Sequence, residues 1–387
     1  MINENDKSII HFSGDDFWYA NPRSRFHVMN AYHKIGYKIL WINPIGIRFP
    51  SIKKKNFGRK IIRKAKSLSK LLRKYKENFY VYTPFLIPIF REGFVLSLNK
   101  ILLKTQLRVL KIILNIHDPI IFFTTPAFGY AFNYVKRNKS IYYLTDQYVL
   151  YRELTEKNKK YLEKFDKILY GNCDVILCSS SKIYSDMKSK REKAVYYFPH
   201  KVDFNLFQMA KNSTDIPEDF KNIAKPVIGY YGTLTDSNDW DILEYCINNR
   251  PNYSFVFIGQ KDILLPEIES KSNVFFLGKK EYQEIPAYGN LFDVSIMFWI
   301  RREWIKNCSP LKLKEYLALG KPVVSTYIEE LELLYKDIIY ISKNKEEFLY
   351  NLDNAVKGDN KARVVKGMET VKGDSWDSVP SLVEKML

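Results

Sequence analysis

Short apolar runs alternate with longer amphipathic stretches through the first half of the chain. The apolar runs predict strands over 8–12, 38–42, 79–82, 120–123, 140–143 and 174–178. Helical periodicity covers roughly 24–35, 97–114 and 154–170. Strands that alternate with helices of this length are typical of a parallel sheet covered on both faces.

The second half repeats this pattern after a polar stretch over 211–225. Further strands are predicted over 226–231, 253–258, 274–277, 292–297, 322–325 and 338–341, with a helix near 239–249. A chain of 387 residues exceeds what one core usually supports. We therefore expect two Rossmann-like α/β domains, over 1–205 and 206–370, with a terminal segment over 371–387.

The cysteines and the hydropathy of the chain argue against several classes of protein. The four cysteines lack C-x-x-C spacing and histidine neighbours, so we expect neither a metal site nor a disulfide framework. The start of the chain lacks the pattern of a secretory signal, and no window holds about eighteen uncharged apolar residues. These features predict a cytoplasmic protein.

Positive charge is concentrated in one segment. The chain has a net charge of +18, and residues 48–76 hold thirteen Lys or Arg and no acid. Apolar residues recur there at helical spacing: Ile61, Ala65, Leu68, Leu72 and Tyr75. This pattern predicts a basic amphipathic helix that binds an anionic membrane surface. Alternatively, the apolar stripe packs on its own domain. Nucleic acid is not expected, because the segment lacks interleaved aromatic residues and matches no nucleic-acid module.

The stretch SPLKLKEYLALGKPVVST begins at Ser309 and predicts a short helix followed by a buried strand. Ser309 is expected to cap the helix, with Pro310 at the first helical position and Leu311 after it. Lys312 adds positive charge to the helix start, which attracts phosphate. Glu315 is placed to accept hydrogen bonds from ribose hydroxyls. Alternatively, Lys312 and Glu315 form an ordinary surface pair.

A glycine turn follows the first strand of the second domain. Gly232 lacks a Cβ, so a diphosphate can approach the backbone closely, and Thr233 offers a hydroxyl and an N–H. We include Leu234 in this predicted donor-binding loop. An ordinary tight turn is the alternative. Asp239 is interpreted as a helix cap rather than as a metal ligand.

Four residues of the first half are candidates for chemistry. Asp146 follows a buried strand, where a general base is expected, although it could instead cap the next helix. In the loop after the first strand, Asp16 is a candidate to orient an acceptor hydroxyl. Trp18 is a candidate to stack on a sugar, and Arg23 to bind phosphate. Each of these three could instead be a loop or capping residue.

The segments around Ser309–Thr326 and Asp146 resemble GT-B glycosyltransferases near family 4, in particular the xanthan-type glucuronosyltransferase group. The resemblance implies two Rossmann-like domains that face each other across a cleft, with a C-terminal helix that packs back on the first domain. It implies a UDP-sugar co-substrate without a further cofactor or a metal. The acceptor would be a polyprenyl-diphosphate-linked glycan at the inner face of the plasma membrane, in capsule or exopolysaccharide synthesis.

One departure from the family bears on the mechanism. Retaining family 4 enzymes carry two glutamates eight positions apart, and Asn307 stands where the partner of Glu315 is expected. This favours inversion with Asp146 as the base, with Glu303 as an alternative to the missing carboxylate. Two other functions remain open: a nucleotide-sugar epimerase or hydrolase of the same fold, and a non-catalytic basic scaffold that binds a membrane or nucleic acid.

Overall fold

The computed structural model describes residues 7–18, 22–44, 71–87, 93–150, 154–211 and 215–387. The chain forms two compact units, Met1–Pro199 with Asp377–Leu387, and His200–Trp376. The division after Pro199 lies six positions before the expected boundary at 205. The terminal segment joins the first unit from Asp377 rather than from 371.

The first unit is built on an eight-stranded sheet of order β3-β4-β2-β1-β5-β6-β7-β8. Neighbouring strands are parallel except for the antiparallel pair of β3 with β4. The strands are β1 Ser8–Phe12, β2 Lys38–Ile42, β3 Leu72–Lys76, β4 Phe79–Tyr82, β5 Ile120–Phe123, β6 Ser140–Leu144, β7 Val175–Cys178 and β8 Val195–Tyr197. The central strands β1, β5, β6 and β7 are buried throughout, as continuous apolar runs in a covered parallel sheet should be.

In the described part of the first unit, four helices accompany these strands: α1 Ser24–Lys34, α2 Phe94–Ile113, α3 Glu156–Asn172 and α4 Ser181–Lys190. Local capping explains where two of them begin. Thr155 accepts a hydrogen bond from the backbone N–H of Asn158 at the start of α3, and Ser180 accepts one from Ile183 at the start of α4. Both caps satisfy a helix N–H that has no partner within the helix.

The prediction of a basic helix that extends to residue 76 is wrong at the C-terminal end of the segment. Leu72–Lys76 is strand β3, which turns through Glu77 and Asn78 into β4. Asn78 has a positive φ of 54°, a conformation that asparagine tolerates well. Pairing with β4 satisfies the backbone of this segment and overrides its helical periodicity. The remainder of the predicted segment, 48–70, lies outside the described residues.

The second unit is built on a six-stranded sheet of order β11-β10-β9-β12-β13-β14, with all pairs parallel. Its strands are β9 Val227–Tyr231, β10 Ser254–Ile258, β11 Val274–Gly278, β12 Val294–Met297, β13 Val323–Thr326 and β14 Tyr340–Ser342. Its helices are α5 Phe204–Lys211, α6 Trp240–Asn249, α7 Pro266–Glu269, α8 Ile285–Asn290, α9 Leu311–Ala318, α10 Glu329–Tyr335, α11 Lys345–Lys357 and α12 Lys361–Lys372. The predicted fold class, two α/β units with parallel sheets, is confirmed.

The chain end returns to the first unit as helix α13, Val379–Glu384, which packs against α1. Lys34 donates a hydrogen bond of 2.7 Å to the Asp377 carboxylate, and the Tyr37 hydroxyl donates one of 3.2 Å to Glu384.

None of the helices in the described part of the chain combines the length and the apolar character that a membrane span requires.

Candidate functional site

In the second unit, Lys312 lies beside the turn that follows β9. Its Nζ donates a hydrogen bond of 2.9 Å to the Tyr230 hydroxyl and lies 4.4 Å from the centre of the Tyr230 ring. The Trp299 ring centre is 5.4 Å away. Two aromatic faces therefore hold the ammonium group by cation–π attraction.

Lys312 keeps a net positive charge at this position. In the part of the chain that the structure describes, no carboxylate oxygen lies within 4.0 Å of its Nζ. Aromatic rings attract a cation without cancelling its charge. The site therefore presents positive charge that an anionic ligand can neutralise.

Gly232 makes the close approach of Lys312 possible. A Cβ at Gly232 would overlap the Lys312 ammonium group, and the φ of Gly232 is +142°, which other residues rarely adopt. Gly259, at the end of the neighbouring strand β10, is similarly packed against the Gly232 carbonyl. Both turns thus need glycine because backbone and cation occupy the space of a side chain.

Helix α9 begins differently from the prediction. Pro310 occupies the N-cap with an extended backbone and makes no side-chain capping bond, and the helix starts at Leu311. The expectation that Ser309 caps the helix and Pro310 opens it is therefore wrong by one position. Ser309 lies buried before the cap. Without a capping side chain at Pro310, the first backbone N–H groups of α9 are oriented toward the helix start, where an anion binds favourably.

The C-terminal end of α9 agrees with the sequence. Gly320 has a φ of +68°, and its N–H donates to Leu317, while the N–H of Lys321 donates to Tyr316. These bonds form the left-handed turn that glycine commonly provides after a helix.

Glu315 lies one turn along α9 from Lys312 and is buried. Its Oε1 accepts a hydrogen bond of 3.2 Å from the Tyr282 hydroxyl. Burial raises the pKa of Glu315 to about 7, although Tyr231, Lys312 and Tyr282 oppose the rise. Near neutral pH this carboxyl group is therefore protonated to a greater extent than that of an ordinary glutamate. Its predicted contact with ribose stays a prediction.

The rest of the predicted donor loop has two different environments. Thr233 is half-buried beside Gly232. The backbone of Leu234 is already committed, because its N–H donates to Gln260 and its carbonyl accepts from Asp262. Its side chain is buried in the core. Leu234 therefore positions the loop through its packing.

A cavity of about 420 Å³ opens near this site, at the carboxyl ends of β13 and β14. It is lined by Asp239, Ile242, Trp299, Arg301, Thr326, Tyr327, Glu332, Ser342 and Lys343. Trp299 is common to this cavity and to the Lys312 site. Asp239 caps α6 by accepting a hydrogen bond from Ile242, as predicted.

The first unit holds a second charged cluster, centred on Arg25. This guanidinium is only 4% exposed and forms ion pairs with Asp15 and, at 3.1 Å, with Asp146. It also donates hydrogen bonds of 2.6 Å to the hydroxyls of Thr145 and Tyr148. Burial of a charge at this depth is tolerated because partners surround it.

Asp146 follows β6 and has the position predicted for it. Its side chain retains 26% exposure, and burial raises its pKa above the usual value while Arg25 opposes the rise. The capping alternative is not realised at α3, whose cap is Thr155. Asp146 is thus a half-buried carboxyl group held by a buried arginine.

The three predicted acceptor-side residues are close to this cluster in sequence but have local contacts. Asp16 accepts a hydrogen bond of 3.1 Å from the backbone N–H of Trp18, and the Trp18 ring packs against Phe17. Arg23 is exposed and lies 3.4 Å from Asp15. Their roles toward an acceptor stay predictions.

Sequence reasoning missed Asp15 and Arg25. Asp15 is adjacent to Asp16, and Arg25 is two positions after Arg23. The burial of Ser24, Arg25 and His27 at the start of α1 is visible only in the structure, because the apolar residues of this helix do not form one distinct face. A charged residue on the buried side of a helix start implies a buried partner.

Glu303, the alternative to the missing family glutamate, is exposed and pairs with Lys306. Asn307 is buried, and its side-chain amide donates a hydrogen bond of 2.9 Å to the Glu303 carbonyl. This arrangement brings the Glu303 backbone, rather than its carboxylate, to Asn307.

No protein-family model matches the sequence. One curated relative is TuaH of Bacillus subtilis strain 168, described as a teichuronic acid biosynthesis glycosyltransferase. It is 26% identical over 234 residues, which cover 58% of this chain and 55% of TuaH. The chain thus spans little more than half the length of this relative.

Several solved structures resemble the whole chain. Sucrose-phosphate synthase from Thermosynechococcus elongatus has a TM-score of 0.69 at 11% identity, covering 98% of each chain. HepE from Anabaena, in complex with UDP and glucose, has a TM-score of 0.67 at 14% identity, again covering 98% of each chain. An Escherichia coli trehalose-6-phosphate protein bound with UDP-2-fluoro glucose has a TM-score of 0.66 at 11% identity, covering 98% of this chain and 99% of the other. The chain therefore has the fold of the GT-B glycosyltransferases, as the sequence resemblance implied.

Proposed function

We propose that this protein is a glycosyltransferase that moves a sugar from a UDP-sugar to an acceptor hydroxyl. The observation that carries the proposal is Lys312, a cation held on two aromatic rings at a helix start and beside a glycine turn, without a carboxylate in ion-pair contact among the described residues. A diphosphate suits this site, because its negative charge is neutralised by Lys312 and by the helix start. The UDP complexes of two structural neighbours support the same ligand class.

In the proposed reaction, the bond between the sugar anomeric carbon and the diphosphate oxygen breaks, and its electron pair leaves with UDP. Lys312 and the first N–H groups of α9 stabilise the negative charge that develops on the leaving diphosphate. Such pre-oriented donors commonly supply a large share of the rate enhancement. The cavity beside Trp299 provides room for further parts of the donor.

Asp146 is the proposed general base. It takes the proton of the acceptor hydroxyl while that oxygen forms its bond to the anomeric carbon, with inversion. Its partial exposure leaves the carboxylate accessible, and Arg25 fixes its orientation through the 3.1 Å ion pair. A pKa raised by burial makes Asp146 a stronger base than an ordinary surface aspartate.

The proposed acceptor is a polyprenyl-diphosphate-linked glycan, in the assembly of a capsule or exopolysaccharide. The described role of TuaH in teichuronic acid biosynthesis supports a polysaccharide product. The proposed location is the inner face of the plasma membrane. In this proposal the segment 48–76 binds anionic lipid, and its basic composition supports that location.

Titration of the purified protein with UDP tests the donor site. We expect binding of UDP, measured by calorimetry, and a rise of the melting temperature with UDP concentration. A single-stranded oligonucleotide should produce no rise. Protection by the oligonucleotide but not by UDP would favour the basic scaffold and contradict the transferase.

Substitution Asp146→Asn tests the base. We expect transfer to fall by about 10²–10⁴-fold, with the dissociation constant for UDP unchanged. Asp118→Asn, at an exposed position of the first unit outside the candidate site, is the matched control for loss of one carboxylate. Turnover of Asp146→Asn near the wild-type rate would exclude Asp146 as the base. A changed nucleotide sugar formed without any acceptor would instead identify an epimerase or hydrolase.

A further inference from the structure

Helix α2 of the first unit presents an apolar stripe to solvent. Its exposed apolar side chains are between 49% and 81% accessible: Phe94, Ile101, Val109, Ile112 and Ile113. The opposite face is buried in the core through Leu96, Leu103, Leu107 and Leu110. At about 100° per residue, Phe94, Ile101 and Ile112 project within roughly 20° of one another. The stripe therefore runs along almost the whole helix.

Basic residues line one side of this stripe. Lys100, Lys104, Arg108 and Lys111 follow one another at spacings of three and four, so they share one flank of α2. The helix contains no acidic residue between Phe94 and Ile113. The partner of this surface must therefore be apolar where it meets the stripe and anionic where it meets the flank.

The neighbouring Phe85 extends the apolar surface. Its backbone N–H donates 2.9 Å to the side-chain oxygen of Gln106, and the amide of Gln106 donates 2.9 Å back to the Phe85 carbonyl. Gln106 belongs to α2, so these two bonds fix the position of Phe85 relative to the helix. The Phe85 side chain is 67% exposed and is held beside the stripe.

We propose that α2 lies in the interface of an anionic lipid bilayer, with the stripe inserted among acyl chains and the basic flank at the headgroups. An amphipathic helix with this charge arrangement binds in the plane of a membrane. Four cations along its length exclude α2 from spanning the bilayer. A second copy of the chain fits poorly, because two identical basic flanks would repel each other.

This helix is distinct in sequence from the basic segment 48–76, and the proposal does not depend on the transfer reaction. Its test is therefore a binding measurement with the full-length protein and needs no substrate. We would measure flotation with vesicles of phosphatidylcholine alone and with vesicles that also contain phosphatidylglycerol. Wild-type protein should bind the anionic vesicles at least tenfold more tightly.

Two double variants assign this binding to α2. Ile101→Gln with Ile112→Gln should weaken binding at least tenfold, because both changes remove inserted apolar area. Lys104→Gln with Arg108→Gln should weaken it roughly 25-fold, about fivefold per charge. Unchanged circular dichroism and melting temperature would show that each variant is folded; Ile101, Ile112 and Arg108 are exposed, and Lys104 is half-buried beside Tyr134.

Matched controls distinguish α2 from the general charge and hydrophobicity of the surface. Leu264→Gln with Tyr350→Gln removes two exposed apolar residues of the second unit. Lys157→Gln with Lys160→Gln removes two exposed charges from α3. Both controls should bind vesicles as the wild type does. Wild-type binding by the α2 variants, or equal binding to neutral and anionic vesicles, would overturn the proposal whether or not the protein is a transferase.

Discussion

The central cation of each candidate cluster, Arg25 in the first unit and Lys312 in the second, has a different kind of partner. In the first unit, Arg25 is surrounded by oxygen atoms and pairs with Asp15 and Asp146. In the second, Lys312 rests on aromatic rings, and the carboxyl group of Glu315 accepts from a tyrosine hydroxyl. The Arg25 guanidinium is paired with two carboxylates, whereas no carboxylate is in ion-pair contact with Lys312 among the described residues. This difference teaches that the Arg25 cluster serves stability and orientation, and that the Lys312 site is suited to take up an anion.

The largest expected effect on stability is at Arg25. Arg25→Met should lower the free energy of unfolding by about 3–5 kcal/mol, because Asp15 and Asp146 would lose their common cation. Chemical denaturation at pH 7 measures the loss. Arg25→Lys is the control, since it keeps the charge without the planar fork and should recover part of the stability. A loss below 1 kcal/mol for the methionine variant would contradict the claim that the ion pairs of Arg25 with Asp15 and Asp146 stabilise the fold.

Glu315 should give the stability of the protein a specific pH dependence. Its pKa is about 7 in the folded state and near 4.5 in the unfolded chain. The folded state therefore binds more protons between these values, and stability falls as pH rises through that window. The contribution lost is about 3 kcal/mol.

The variant Glu315→Gln isolates this effect, because glutamine accepts the Tyr282 hydrogen bond but does not titrate. Its stability relative to the wild type should increase from pH 4.5 to pH 7 and then become constant. Denaturation midpoints at a series of pH values follow the difference. Parallel pH profiles for the two proteins would show that Glu315 is ionised across the window.

Lys312 should show the opposite signature from Arg25. Lys312→Met should weaken UDP binding by about tenfold to a hundredfold, because one charge-assisted contact to the diphosphate is lost. The free energy of unfolding should change by less than about 1–2 kcal/mol, since only cation–π contacts and one hydrogen bond to the Tyr230 hydroxyl are removed. Calorimetry and denaturation of the same preparation separate the two effects. Lys306→Met, on the exposed segment before α9, is the control for loss of one charge.

The smallest expected effect is at Tyr230. Tyr230→Phe removes the hydroxyl that accepts from Lys312 but keeps the ring beneath the ammonium group. Stability should fall by about 0.5–1.5 kcal/mol, the usual range for one hydrogen bond, with UDP affinity within threefold of the wild type. A loss of affinity equal to that of Lys312→Met would mean that the hydroxyl, rather than the rings, positions the cation.

The sequence by itself determined the features that depend on neighbouring residues. Hydrophobic runs located the strands of the second sheet and six strands of the first, because a buried parallel strand is apolar along its length. The edge strands β3 and β8 were not predicted. Gly320 marked the end of α9, and Asp239 was recognised as a cap, since both act on backbone groups within a few positions. The position of Asp146 after β6 followed from the same local pattern.

Only the tertiary structure decided which distant residues meet. Arg25 and Asp146 are 121 positions apart, and Lys312 and Tyr230 are 82 apart, so no local pattern pairs them. Strand β3 formed where helical periodicity predicted a helix, because β4 offered backbone partners. The ion pair of the buried Arg25 with Asp15 rather than with Asp16 is likewise a tertiary contact. Contacts between distant segments form only when the sheets assemble, and the burial that results raises the pKa of Glu315 and of Asp146.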